Sequence, residues 1–154
     1  MTDPATTNAY LRTKALTASP EELRLMLLEG AIRFARSGRE GLRTRNYEQS
    51  YNGISQCRAI ITELMTSMRR EHNPELCDRL TSLYMFLFNE LVNASIEKDA
   101  DRLDKVIELL EYERETWVQL MDKLRHERAS AGEPAARPAG ETRPEGAGSL
   151  SVQA

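Results

Sequence analysis

Residues 19–34 have the sequence SPEELRLMLLEGAIRF, and this stretch holds the start of a helix together with its apolar stripe. Ser19 is suited to cap a helix, Pro20 fits the first helical position, and Glu22 completes a capping box. The apolar residues that follow recur at intervals of three and four, the period of one helix face. They are Leu23, Met26, Leu27, Gly30, Ala31 and Phe34. The stretch therefore predicts an amphipathic helix with one face in a core.

Three further segments show the same combination of a start signal and a helical stripe. Asn46 precedes the second segment, the pair Asn73-Pro74 opens the third, and Asp99 precedes the fourth. The connections between segments are short, which makes consecutive helices antiparallel neighbours. No segment has the alternating pattern of a strand. The sequence predicts an all-α fold, an antiparallel up-down-up-down four-helix bundle with a short N-terminal arm.

The predicted bundle occupies residues 19–127, and segments of different composition flank it. Residues 1–18 are the predicted arm, in which Tyr10 and Leu11 are large side chains that would seek a pocket. Residues 128–154 are mostly Ala, Gly, Pro, Glu, Arg and Ser. Such a segment cannot bury enough apolar area to offset the entropy lost on ordering, so we expect a disordered tail.

The overall composition argues against several classes of partner. A net charge of −3 and a pI near 5.5 do not suit nucleic-acid binding or attachment to an anionic membrane surface. The longest apolar run, residues 83–88, is too short to span a bilayer. The N-terminus lacks the basic and apolar regions of a signal peptide, and Cys57 and Cys77 fit buried, reduced thiols. We expect a cytoplasmic protein.

The sequence shows no equipment for catalysis, metal binding or cofactor binding. A di-iron bundle needs Glu-x-x-His on two helices, and neither His72 nor His126 follows a glutamate at that spacing. Phosphate-loop and nucleophile motifs are also missing. We interpret acidic runs such as Glu111, Glu113 and Glu115 as solvated helix faces. The chain is therefore expected to act without a cofactor and not as an enzyme.

Two predicted helices carry more apolar surface than a bundle core needs. On the third helix, side chains beside the stripe of Leu83, Tyr84 and Leu87 widen the apolar arc to about 200°, against roughly 100° for a bundle helix. The first helix has a second stripe beside its core stripe. These surplus positions and the two arm residues are the predicted partner-binding residues: Tyr10, Leu11, Leu25, Leu28, Ile32, Met85, Phe88 and Val92. They predict a groove for a partner's amphipathic helix, with coverage by the arm as the alternative.

The order and spacing of several motifs resemble the flagellar secretion chaperone FliS family. The similarity covers about residues 8–124 and extends through all four predicted helices. Its main motifs are Asn8-Ala9-Tyr10, Thr17-Ala18-Ser19-Pro20-Glu21-Glu22-Leu23, Met26-Leu27-Leu28-Glu29-Gly30-Ala31, Ile60-Ile61-Thr62-Glu63-Leu64, Leu91-Val92-Asn93-Ala94 and Glu115-Thr116-Trp117. In the middle of the third helix, Met85-Phe86-Leu87-Phe88 stands where the family often has polar or basic residues.

The resemblance implies a cytoplasmic chaperone for flagellin. In that family a helical bundle binds the C-terminal segment of flagellin, which becomes helical on binding, and so prevents premature polymerisation. The family also delivers flagellin to the flagellar type III export gate, and its N-terminal tyrosine, Tyr10 by position, is linked to gating and to contact with that gate. The residues leave two alternatives open, a helical-bundle adaptor for a different client and a homodimeric interaction protein.

Overall fold

The computed structural model describes residues 4–132, which form five α-helices and no β-strand. The helices are α1 (Pro4–Thr17), α2 (Pro20–Arg43), α3 (Tyr47–Thr66), α4 (Pro74–Glu97) and α5 (Ala100–Ser130). The predicted all-helical fold is thus confirmed for this part of the chain. None of its helices is long and apolar enough to cross a membrane.

Each helix from α2 to α5 begins at the predicted cap. The side-chain oxygens of Ser19, Asn46 and Asn73 each accept a hydrogen bond from the backbone N–H three residues later. The carboxylate of Asp99 accepts from the backbone N–H of Asp101. These bonds satisfy backbone N–H groups of the first turn that have no acceptor within the helix. The local sequence therefore determines where α2 to α5 begin.

Helices α2 to α5 pack in a closed ring: α2 against α3, α3 against α4, α4 against α5, and α5 against α2. Ion pairs between α2 and α5 show how those two helices are oriented. Arg43 near the end of α2 pairs with Asp104 near the start of α5, whereas Glu29 pairs with Arg114 further along. Because the partners run in opposite order along the chain, α2 and α5 are antiparallel.

The core lies inside this ring. Its fully buried large side chains come from all four helices: Leu28, Ile54, Cys57, Ile61, Leu64, Tyr84, Leu87, Leu91, Leu103, Val106 and Leu110. Cys57 and Cys77 are both free thiols, and burial raises the pKa of Cys57 to about 12, so its thiol stays protonated.

Helices α2 and α3 approach so closely that only glycine fits at two crossing positions. A Cβ atom on Gly53 would lie 2.5 Å from the backbone nitrogen of Gly38, and one on Gly41 would lie 2.5 Å from that of Ser50. Both distances are shorter than any ordinary contact, and the opposing atoms belong to the backbone. The absence of a Cβ atom at Gly41 and Gly53 therefore allows the two helices to lie this close together.

The structure differs from the predicted boundaries at three places. Part of the predicted arm is the helix α1, which has good helix formers but lacks the apolar stripe that the prediction relied on. Helix α3 ends at Thr66, before Met68, and the backbone N–H of Ser67 donates to the carbonyl of Glu63 to close its last turn. Helix α5 continues to Ser130, three residues into the predicted tail, and the remainder of that tail from residue 133 lies outside the described residues.

Candidate partner-binding surface

Helix α4 has a buried side and, next to it, an apolar side that is only partly covered. Tyr84, Leu87, Leu91 and Ala94 face the core. The adjoining side chains recur at helical spacing and are either half-buried or exposed: Met85, Phe88, Val92 and Ile96. Met85 is 47% exposed and Ile96 is 75% exposed. The widened apolar arc predicted for this helix is therefore not fully used by the core.

Two contacts show that this side of α4 adjoins α3. The Arg58 guanidinium lies 5.1 Å from the ring centroid of Phe88, and the Lys98 ammonium lies 4.2 Å from the ring centroid of Tyr47. Tyr51 follows Tyr47 by one helical turn and is 65% exposed. We call this surface the α3–α4 face and define it as Tyr47, Tyr51 and Arg58 of α3 with Met85, Phe88, Val92 and Ile96 of α4.

The predicted residues Met85, Phe88 and Val92 thus lie together on the α3–α4 face. Tyr47 and Tyr51 were not among the predicted partner-binding residues, because their spacing also fits the apolar stripe by which α3 would face the core. Tyr47 is 45% exposed, so the core has not covered either ring. A mixture of aromatic, aliphatic and sulfur-containing side chains with one guanidinium is a composition that suits protein recognition.

The α2 residues of the predicted groove lie elsewhere. Leu28 and Ile32 are buried in the core, with exposed fractions of 0% and 5%, which corrects their assignment to an open groove. Leu25 is half-buried and shares its side of α2 with Glu29, which pairs with Arg114 of α5. The surplus stripe of α2 is therefore turned toward α5, and the predicted groove residues are not brought together on one surface.

The two arm residues are carried by α1, which has no buried residue. Tyr10 is 64% exposed and Leu11 is half-buried. Tyr10 therefore enters no pocket formed by residues 4–132. The alternative in which the arm covers the apolar surplus has no support from the burial of α1 in this structure.

Beneath the surface, three polar side chains join α2, α4 and α5. Arg24 donates a hydrogen bond to the Tyr84 hydroxyl, and that hydroxyl donates to Oε1 of Glu113 at 2.6 Å. The nearest Arg24 and Glu113 atoms are 3.7 Å apart, and the guanidinium lies 5.4 Å from the Trp117 ring centroid. The Trp117 indole N–H donates to the carbonyl of Glu21 at the start of α2. This cluster ties the beginning of α2 to the middle of α4 and α5.

Burial changes the acidity of two groups in this cluster. It raises the pKa of the Tyr84 hydroxyl, with the Glu113 charge adding to the effect. It also raises the pKa of Glu113, against the opposing hydrogen bond from Tyr84 and the charge of Arg24. Oε2 of Glu113 is buried and has no hydrogen-bond partner within residues 4–132. A solvated face was therefore the wrong interpretation of Glu113, which stands between Leu110 and Trp117 at a core position of its helix.

Residues 2–124 match the model of a family described as flagellar protein FliS. The chain therefore belongs to the FliS family. The resemblance that the motifs predicted over residues 8–124 is confirmed.

Three relatives named flagellar secretion chaperone FliS are similar to this chain. The protein from Bacillus subtilis strain 168 is 29% identical over 124 residues, which cover 80% of this chain and 92% of the relative. The one from Campylobacter jejuni is 31% identical over 110 residues, or 71% and 86% of the two chains. The one from Vibrio cholerae is 27% identical over 103 residues, or 67% and 76%.

The FliS match includes the whole α3–α4 face and the buried cluster around Tyr84. It begins before α1 and ends within α5, at residue 124. The last turn and a half of α5, together with residues 131–154, lie beyond it. Any function common to FliS proteins is therefore to be sought in the four packed helices and α1.

Proposed function

We propose that this protein is a cytoplasmic export chaperone that binds the C-terminal helical segment of flagellin. In this role it keeps flagellin from polymerising early and delivers it to the flagellar type III export apparatus. The observation that carries the proposal is the FliS family match over residues 2–124, since similar proteins are named flagellar secretion chaperones. The α3–α4 face supplies the apolar surface that such a client needs.

The physical requirements of this task agree with the surface. A segment that polymerises through an apolar helix face would self-associate if left bare, so its chaperone must cover that face and later release it. Coupled folding and binding meets both needs, because the cost of ordering the client offsets part of the contact energy. Met85 and Ile96 are exposed on a helix that already has a full core stripe, so they remain available for such a contact.

The architecture we propose for the chaperone domain is an up-down-up-down four-helix bundle of α2 to α5. The closed ring of helix contacts and the short connections support this topology. For α1 we propose a separate role. Tyr10 is exposed on α1, which has no buried residue, and this exposure would leave it accessible for contact with the export gate.

Calorimetric titration with the C-terminal segment of flagellin from the same organism tests the proposal. We expect a 1:1 complex with a large negative heat-capacity change, because apolar surface is buried as the client folds. Absence of heat and of co-elution would contradict flagellin as the client. A protein that sediments as a tight dimer with the α3–α4 face at its interface would instead favour the homodimeric alternative.

A further inference from the structure

The α3–α4 face contains one charged side chain whose interactions the protein leaves incomplete. Nε of Arg58 is buried and has no hydrogen-bond partner in the part of the chain that the structure describes. Within residues 4–132, Arg58 forms no ion pair. Its guanidinium instead makes a cation–π contact with the Phe88 ring. A guanidinium carries five N–H donors, and leaving a buried donor unpaired is costly.

Three other half-buried arginines are satisfied differently. Arg24, Arg39 and Arg102 all pair with carboxylates on neighbouring helices. Arg58 instead lies in an apolar surface, held over an aromatic ring that fixes its position without using its donors. An arginine held in this way is preorganised for a planar acceptor such as a carboxylate.

We infer that Arg58 is a specificity-determining residue that pairs with an acidic side chain on the client segment. This inference rests on the proposed function and deepens it: the client is an amphipathic helix whose apolar side covers Met85, Phe88, Val92 and Ile96 and whose acidic side chain reaches Arg58. Charge complementarity favours this client helix over a purely apolar helix, because a purely apolar helix would bury the guanidinium without an acceptor. Segments that lack this acidic side chain are therefore expected to bind more weakly.

The test is a set of titrations with synthetic C-terminal flagellin peptides from the same organism. One peptide has the natural sequence, and in each of the others a single Asp or Glu is replaced by its amide. Each is titrated against the wild-type chain and against Arg58→Gln. The matched control is Arg33→Gln, since Arg33 also lies over an aromatic ring, at 5.4 Å from the centroid of Phe34, but belongs to α2. Thermal unfolding checks that both variants are folded.

We expect Arg58→Gln to weaken binding of the natural peptide by about 10- to 30-fold, as loss of a charge-assisted hydrogen bond does. Arg33→Gln should leave the affinity unchanged. The peptide in which the acidic partner of Arg58 is replaced by its amide should bind the wild-type chain and Arg58→Gln equally, because it lacks the carboxylate that Arg58 would contact. The charge-reversed variant Arg58→Glu should regain affinity when that same peptide position carries Lys.

Three results would overturn the inference, and they differ in what they imply for the proposed function. If Met85→Asp weakens binding but Arg58→Gln changes the affinity of no peptide, the α3–α4 face binds the client and Arg58 does not contribute to its recognition. If no peptide binds the wild-type chain, both the client assignment and the role of Arg58 are wrong. Self-association of the wild-type chain that Arg58→Gln abolishes would identify a second copy as the occupant and also contradict the inference.

Discussion

The Tyr84 hydroxyl oxygen lies 2.6 Å from Oε1 of Glu113, and it joins α4 to α5 in the interior of the protein. The same hydroxyl accepts a hydrogen bond from Arg24 of α2, so one side chain connects three helices. Tyr84 is fully buried, and the other carboxylate oxygen of Glu113 has no hydrogen-bond partner among the described residues. The stability of the packed helices should therefore depend on this hydroxyl beyond its share of apolar packing.

Replacing Tyr84 by Phe removes the hydroxyl and keeps the ring. Glu113 and Arg24 then each lose a hydrogen-bond partner in a buried position, so we expect a loss of about 1–3 kcal/mol in the free energy of unfolding. Urea denaturation measures it. Tyr112→Phe is the control, because Tyr112 is on the exposed side of α5 and its change should be within about 0.5 kcal/mol. Equal stability of the wild-type chain and Tyr84→Phe would contradict the importance of the network.

Glu113 should give the protein a characteristic pH dependence. Burial raises the pKa of its carboxyl above the ordinary value of 4.5 in the folded protein. Because the folded state then holds this proton to a higher pH than the unfolded chain, stability is lost as the pH rises from 4.5 through the raised pKa. Glu113→Gln cannot titrate. We expect the unfolding free energy of the wild-type chain minus that of Glu113→Gln to fall as the pH is raised through this interval.

Chemical denaturation of both proteins at a series of pH values measures that difference. Subtraction removes the contributions of the other carboxylates, which are common to both chains. A difference that stays constant would show that the Tyr84 hydrogen bond and the Arg24 charge cancel the effect of burial, and one that grows with pH would show that they outweigh it.

The α3–α4 face can be tested with two adjacent residues of equal exposure. Met85 lies on this face and is 47% exposed, whereas Phe86 points to a different side of α4 and is 46% exposed. We expect Met85→Asp to weaken binding of the flagellin C-terminal segment by about 10-fold or more, because the charge would be buried in the complex. Phe86→Asp should not affect affinity. Both should change stability by less than about 1 kcal/mol.

Similar losses of affinity for the two variants would contradict this assignment of the binding surface. Calorimetry measures the affinities, and thermal unfolding separates a loss of binding from a loss of fold. Substitutions at Leu28 or Ile32 are not useful probes of the surface, since both side chains are in the core.

The close approach of α2 and α3 predicts opposite outcomes for two glycines. Gly53→Ala places a Cβ atom 2.5 Å from a backbone nitrogen of α2, which the helices can relieve only by moving apart. We expect a loss of about 1–3 kcal/mol, despite the better helix propensity of alanine. At Gly30 the nearest atom is the end of the Ile60 side chain, 3.3 Å away, so Gly30→Ala should be neutral or slightly stabilising. Unfolding by guanidinium compares them, and a stable Gly53→Ala would disprove the steric argument.

Local chemistry explains what could be predicted from the sequence alone. A cap needs only one side chain and the backbone a few residues later, so Ser19, Asn46, Asn73 and Asp99 identified where α2 to α5 begin. The apolar period of these helices likewise predicted an all-helical fold. Helix α1 has no such period, and it was missed for that reason. The order and spacing of the sequence motifs were sufficient to predict the family.

Tertiary packing decided which sides of these helices are covered. Ile32 and Phe88 belong to similar surplus stripes, yet Ile32 is buried and Phe88 is only half-buried, because burial depends on what each neighbouring helix places opposite. Glu113 became a buried partner of Tyr84 for the same reason, although its acidic surroundings on α5 suggested a solvated face. The sequence determined the helices and their starts through short-range bonds. The three-dimensional arrangement of α2 to α5 determined the buried network and the exposed α3–α4 face, because both depend on contacts between residues distant in the chain.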